Sequence, residues 1–418
     1  MPNIFLNALS VKGVKNITAN CEIQFQPKGR VKAVYGSNGA GKTALIAGAS
    51  MLKRLLLDSD YLVTEKRALT DLVNKHARQA ELSAVITAGK TKYRYYVVVD
   101  CRAEVPMLAC EKIEQFLHGA KKRTLFYSVK GELKEFGSLL SDDIRAKTQN
   151  LLQKSSLISL VVEGMRTSEP LFSKTARVPF VDALISFAKQ MGVYLCAGDL
   201  PSSPYELTSH SVPEQMRQRL VEISNNNRYK ELLFIPPSAL EAYEEETKRL
   251  FSFIKMFKPD LQSIDVDHRK VDQGVISVER IFNYGKGCKI NSYLESTGVR
   301  SLTNIFPFIS AAMTGSIVFI DELDSGINGI LLESLIRYLN AYAQGQLCFT
   351  CHDSYLMDAL EESKYGISFL SPSRGITNWI KNGHYSPESQ WTQGYIPGFA
   401  FNYEPLDFHE AFPRRNEA

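Results

Sequence analysis

A mixed α/β fold, in which a sheet with flanking helices is split by a helical insertion, is predicted by three observations. Short apolar strands stop at residues that break a strand: RVKAVY (30–35) runs into Gly36, and SIVFI (316–320) runs into Asp321 and Glu322. An amphipathic helix follows the first break, with Leu45, Ala49, Leu52 and Leu56 on one face and Lys53 and Arg54 off it. Between the two strand-bearing ends, residues 105–258 carry mostly helical spacing.

The elements follow in order. In CEIQFQ, Cys21, Ile23 and Phe25 alternate with Glu22, Gln24 and Gln26, the period of a half-buried strand. The helix after the glycine-rich turn stops near Asp58, and KYRYYVVVD (92–100) has the aromatic and β-branched content of a strand. Helical patterns then dominate: SSLISLVVEGM, FVDALISFAKQMG, and SALEAYEEETKRLFSFIKMF (238–257), where Ser238 and Glu241 form a capping-box pattern. After Pro259 strands return in GVISVERIF (274–282), SIVFI and QLCFT (346–350). No repeat, low-complexity tract or Pro/Gly/Ser-rich linker separates independent domains. The expected organisation is therefore one sheet domain in two halves, 1–104 and 259–418, interrupted by the insertion 105–258.

Composition excludes several classes. With 418 residues and 44% hydrophobic content, the chain can bury a large core, so a disordered tail or a small disulfide scaffold is ruled out. A net charge of +4 neither indicates nor excludes nucleic acid. Seven scattered cysteines and the lack of a signal-peptide pattern predict reduced thiols and a cytoplasmic protein. The uncharged window 301–320 is punctuated by Asn304, Pro307, Thr314, Gly315 and Ser316, and reads as a helix, a turn and a buried strand rather than a membrane span.

The strongest motif is GSNGAGKT, which fits G-x-x-x-x-G-K-[ST]. Gly36, Ser37, Asn38, Gly39, Ala40 and Gly41 would wrap phosphate oxygens, helped by the positive end of the helix that follows. Lys42 supplies charge to the β- and γ-phosphates, and the Thr43 hydroxyl is a magnesium ligand. A second motif, DELDSG, begins where an apolar strand leaves the sheet: Asp321 is read as a magnesium ligand and Glu322 as the base that polarises water. ATP and Mg2+ are the expected cofactors.

Two more segments complete an ordered set. YLESTGVRSL (293–302) places Ser296, Thr297 and Gly298 at a helix start, and QLCFTCHDSYLMD (346–358) places His352 at the end of another apolar strand. This set resembles ABC-type ATPases: Walker A at 36–43, signature loop at 296–298, Walker B at Asp321 and Glu322, D-loop near Asp324 and Ser325, and switch residue His352. Together with the closing GYIPGFAF, it is similar to the AAA-type ATPases of the OLD group, relatives of RecF and SMC heads found in anti-phage defence systems such as OLD, Septu and PARIS. The resemblance implies an ABC-type P-loop ATPase head. It also implies that Ser296 and Gly298 complete a site on a second copy, with Asp324 close to the nucleotide, so that ATP joins two heads. Thr297 departs from the glycine of transporter-like signatures, and Asn328-Gly329 replaces a common His-Pro pair. Gln79 is the candidate Q-loop metal ligand, a surface glutamine being the other reading.

Cys348, Cys351 and His352 spell C-x-x-C-H, a haem-attachment pattern, but two cysteines three apart on a strand point to opposite faces, so buried small hydrophobes are expected. Lys121, Lys122 and Arg123, followed by Phe126 and Tyr127, offer weak support for DNA contact. The acidic E-G-x-x-E and D-x-D patterns of a Toprim nuclease are absent after His352. The resulting expectation is a nucleotide-dependent homo-oligomeric regulatory ATPase in abortive-infection defence. It would control a separate nuclease or toxin effector and answer to a phage-protein trigger. The alternative is a RecF/SMC-like DNA-maintenance ATPase, and a membrane transport ATPase is disfavoured.

Overall fold

The computed structural model describes residues 4–27, 29–117, 121–195, 233–272, 274–363, 365–381 and 385–396. Strands β1 (Ile4–Lys12), β2 (Cys21–Gln24) and β3 (Val31–Tyr35) precede helices α1 (Lys42–Leu57), α2 (Tyr61–Thr64) and α3 (Lys66–Leu72). Then come β4 (Gln79–Ala88), β5 (Thr91–Asp100), β6 (Met107–Phe116), β7 (Lys122–Val129) and β8 (Glu132–Phe136). Helices α4 (Asp142–Thr148), α5 (Leu157–Arg166), α6 (Pro170–Thr175) and α7 (Pro179–Gln190) lead into β9 (Met191–Tyr194). After residue 232 follow β10 (Leu233–Ile235), α8 (Leu240–Phe257), β11 (Ser263–Asp272), β12 (Val275–Asn283) and β13 (Lys289–Asn291). The last elements are α9 (Thr297–Met313), β14 (Ile317–Ile320), α10 (Gly329–Tyr342), β15 (Gln346–Thr350), β16 (Ile367–Ser371), β17 (Gly375–Asn378) and α11 (Pro387–Thr392).

The described strands make three sheets. An antiparallel sheet runs β2-β1-β4-β5-β6-β7-β8, and a smaller one joins β10, β12 and β11, with β13 on β12. The third runs β17-β16-β3-β15-β14-β9 and is parallel from β16 to β9. Strands β3, β14 and β15 are buried along their whole length because helices cover both faces of a parallel sheet. Alternation divides their side chains between two cores. Ile317, Phe319 and Cys348 join the core shared with α1, α5, α7 and the antiparallel sheet, whereas Val318, Ile320, Leu347 and Phe349 join the core under α8, α9 and α10. The fold is mixed α/β, as the strand and helix patterns predicted.

Helix α1 lies between the two larger sheets, with Leu45, Leu52 and Leu56 fully buried. Each such leucine contributes about 1.5–3 kcal/mol, more than the ~1 kcal/mol of a side-chain N-cap. The helix therefore tolerates Gly41 at its N-cap, where no side chain satisfies the first N–H groups.

Two expectations need correction. Residues 107–136 form β6, β7 and β8 rather than helices, because β6 pairs with β5, β7 with β6 and β8 with β7, extending the antiparallel sheet. Ser238 does not cap the long helix: Pro236 and Pro237 start a 3-10 turn, Pro237–Ala239, and α8 begins at Leu240 with Ala239 at its N-cap. Window 301–320 resolves as the end of α9, a turn and β14, and no described helix is long and apolar enough to cross a membrane.

One buried acid ties the antiparallel sheet to the helical layer. Glu111 of β6 is fully buried and accepts from Tyr95 Oη (3.0 Å) and from the Leu157 N–H at the start of α5 (3.0 Å). Burial raises its pKa from 4.5 to about 7, partly offset by those donors. Below pH 4.5 the carboxyl is protonated in both folded and unfolded chains. Between 4.5 and 7 only the unfolded chain releases its proton, so stability falls by up to about 3 kcal/mol and the loss is complete above 7. Glu111→Gln keeps an acceptor without the charge. Its unfolding midpoint is expected to lie close to that of the parent at pH 5 and above it at pH 8, and parallel pH profiles would refute the assignment.

Candidate nucleotide site

Strand β3 delivers the chain to the carboxyl edge of the parallel sheet, where the loop 36–41 turns it into α1. The turn needs its glycines. A Cβ on Gly36 would lie 2.9 Å from both Ala40 Cβ and the Leu370 carbonyl oxygen, and Gly41 sits at φ +97°. The Ala40 N–H donates to the Ser37 carbonyl (3.0 Å), which closes the loop and leaves Ser37, Asn38 and Gly39 on its exposed rim. Asn16 grips the loop from outside through a side-chain hydrogen bond to the Gly39 carbonyl.

Lys42 folds back over the loop. Its Nζ donates to the Gly36 carbonyl (2.7 Å) and the Ser37 carbonyl (3.3 Å), and the residue is 6% exposed. Burial lowers the ammonium pKa, while the charges of Asp321, Asp324 and Glu322 act against that fall. Lys42 thus sits in the field of the carboxylates that leave the neighbouring strand. Thr43, the second residue of α1, is partly exposed beside it.

Strand β14 is followed directly by Asp321, whose N–H donates to the Tyr194 carbonyl (2.9 Å) at the end of β9. The residue is 0% exposed; its Oδ1 accepts from Thr350 Oγ1 (2.6 Å), and its Oδ2 is buried without a hydrogen-bond partner. An orphaned carboxylate oxygen is costly unless a cation or donor completes it, and a hard oxygen donor suits magnesium. Among the described residues no group of three or more His, Cys, Asp or Glu side chains makes a metal cage. An ion on Asp321 would therefore take its other ligands from a hydroxyl such as Thr43, from water and from phosphate, the usual pattern for magnesium. Glu322 follows at φ +49°, a left-handed conformation rare for a non-glycine residue.

The structure also places the remaining candidates. His352 is exposed after β15, and its N–H donates to Asp324 Oδ2 (2.7 Å), as does the Asp353 N–H (2.8 Å). One oxygen of the Asp324 carboxylate, expected at the nucleotide, therefore pins the turn that carries His352. Ser296 is exposed at the N-cap of α9 and accepts from the Val299 N–H (3.5 Å). Gly298 meets the Walker B turn: a Cβ there would lie 2.5 Å from the Gly326 carbonyl oxygen. Gln79 lies elsewhere, opening β4 in the antiparallel sheet, where its amide donates to Asp100 Oδ2 (3.0 Å) rather than to the loop. Asp321 lies between the ends of β9 and β15, and residues 196–232 beyond β9 lie outside the described residues. So does most of GYIPGFAF, from 397 onward.

Thr350, Asn16 and the role of Asp324 escaped the sequence reading. Thr350 ends the strand QLCFT, where a β-branched residue is unremarkable until the pairing partner is known. Cys348 and Cys351 belong to opposite cores, fully buried, with burial pushing both thiols up. In the basic run, Lys122 is drawn to Glu114 and lies over the Phe116 ring (4.9 Å), while Phe126 is wholly buried and unavailable to stack on a base.

Residues 199–358 match the family described as "AAA domain, putative AbiEii toxin, Type IV TA system". No curated protein matches the chain. Among solved structures, it is similar to an Smc head bound to the C-winged helix domain of ScpA, at 13% identity and TM-score 0.47 over 90% of this chain and 97% of that one. It is also similar to a Pyrococcus furiosus Smc head with an extended coiled coil bound to the C-terminal domain of ScpA (14%, 0.45, 90% and 96%). A third is the SMC head domain from Thermotoga maritima (13%, 0.36, 90% and 99%).

Proposed function

We propose that the chain is an ATP-binding and ATP-hydrolysing head of the ABC type that works as the regulatory subunit of an abortive-infection defence complex. One observation supports the ATPase reading above all. The phosphate loop, the buried and half-unpartnered Asp321, Glu322 and His352 all emerge at the carboxyl edge of one parallel sheet, on β3, β14 and β15. Ligands of open α/β sheets bind at that edge.

The roles follow from placement. The backbone of Gly36 to Gly41 and the N-terminus of α1 cradle the phosphates, and Lys42 exchanges its two loop carbonyls for phosphate oxygens. Asp321 and Thr43 hold magnesium, which when bound neutralises phosphate charge and orients the transferred group. Glu322 orients and deprotonates the attacking water, and His352 reaches the γ-phosphate from the switch turn. In this reading Ser296, exposed at the positive end of α9, and the half-buried Gly298 complete the site of a second copy.

The regulatory role is supported by the match of residues 199–358 to the family described as an AAA domain, putative AbiEii toxin, Type IV TA system. ATP-bound heads would associate, and the change in association would control a separate nuclease or toxin in response to a phage protein. Differently tagged Lys42→Ala and Ser296→Arg chains test the composite site. Each is expected to fail to pair with itself, but the mixed pair retains one intact site and should be captured together in ATP and not in ADP. Failure of the mixed pair to form in ATP sinks the composite-site reading.

A further inference from the structure

We propose that Thr350 is a positioning residue that sets both Walker B carboxylates, an inference that rests on the ATPase reading above. Its hydroxyl has one proton and lone pairs to share, and the geometry assigns each. The proton goes to Asp321 Oδ1 (2.6 Å), and an oxygen lone pair accepts the Glu322 N–H (2.8 Å). The Thr350 carbonyl accepts the Leu323 N–H (3.0 Å), so three consecutive residues of the Walker B turn are tied to one residue of β15. Thr350 is 0% exposed, which leaves no water to replace it.

Two consequences bear on the chemistry. Because Oδ1 is occupied, the buried and unpartnered Oδ2 is the oxygen that Asp321 offers to a metal, so the hydroxyl fixes the rotation of the carboxylate. The second concerns Glu322. A left-handed glutamate persists only where its surroundings over-determine it, and the bond to Thr350 Oγ1 is one of those constraints. Without the hydroxyl the backbone is free to relax, and the general base moves off the line of the attacking water. Displacements of about 1 Å at such a position cost on the order of 100-fold in rate.

The test uses Thr350→Val, which keeps the shape and removes the hydroxyl, and Thr350→Ser, which keeps the hydroxyl and removes a methyl. Steady-state hydrolysis is measured with saturating Mg2+, and ATP affinity by the thermal shift that nucleotide induces. Thr350→Val is expected to lower kcat about 30-fold or more with KM changed less than about threefold, and Thr350→Ser to stay within about threefold of the parent. A Thr350→Val protein with parental kcat overturns the proposal. So does a Thr350→Ser protein as slow as Thr350→Val, which would mean that Thr350 only fills space. If the parent protein neither binds nor hydrolyses ATP, the ATPase reading itself fails and takes this inference with it.

Discussion

Lys42→Ala is expected to abolish ATP binding while leaving the folded chain intact. Among the described residues no carboxylate pairs directly with the ammonium; it is held by two loop carbonyls, at 2.7 and 3.3 Å, in a largely buried position. A buried ammonium bonded to neutral carbonyls is a poor arrangement in isolation, and burial lowers its pKa accordingly. It becomes favourable when phosphate supplies negative charge, where each charge-assisted bond is worth about 1.5–3 kcal/mol. Losing one or two such bonds predicts an affinity loss on the order of 100-fold or more. The alanine variant removes the buried charge as well, so its thermal midpoint without nucleotide should stay within a few degrees of the parent. The upward shift on adding ATP and Mg2+ should vanish. A variant that still shows the full shift would remove Lys42 from the site, and one already unfolded without nucleotide would make the lysine structural.

The phosphate loop was legible because its parts are contiguous: strand, turn and helix occupy consecutive residues, and the glycines report the turn directly. DELDSG was legible for the same reason, an apolar strand followed at once by carboxylates. What the sequence hid depends on pairing between distant strands. Thr350 acquires its role only because β15 lies beside β14, which sets its hydroxyl against residues 321 and 322. Asp324 is engaged at the switch turn for the same reason, since the two turns leave neighbouring strands. The misread stretch 107–136 failed through irregularity. Register shifts at Val98/Val99, Ile113/Glu114 and Tyr127/Ser128 break the period of two that marks a strand. Gln79 illustrates the converse error, because a glutamine before a strand is common and only its partner Asp100 reveals its sheet.

Glu322→Gln is expected to separate binding from hydrolysis. The contacts that hold this residue come from its backbone: the N–H bonds Thr350 Oγ1 and the φ of +49° is fixed by the turn, so neither depends on the carboxylate. Glutamine is close in size and keeps an acceptor, but it cannot take the proton from the attacking water. Loss of a general base slows such a step by about 100- to 10,000-fold. ATP should therefore remain bound at one per chain after gel filtration, and the chain should elute as a larger species in ATP than in ADP. Glu322→Gly supplies the control that isolates the backbone. Glycine accepts a left-handed φ without steric cost, so relief of strain of order 1 kcal/mol should raise the thermal midpoint even as hydrolysis is lost. If the glutamine variant hydrolyses ATP at the parental rate, the base lies elsewhere. If the glycine variant is less stable than the parent, the left-handed turn is held by side-chain contacts of Glu322 and not by the hydroxyl of Thr350.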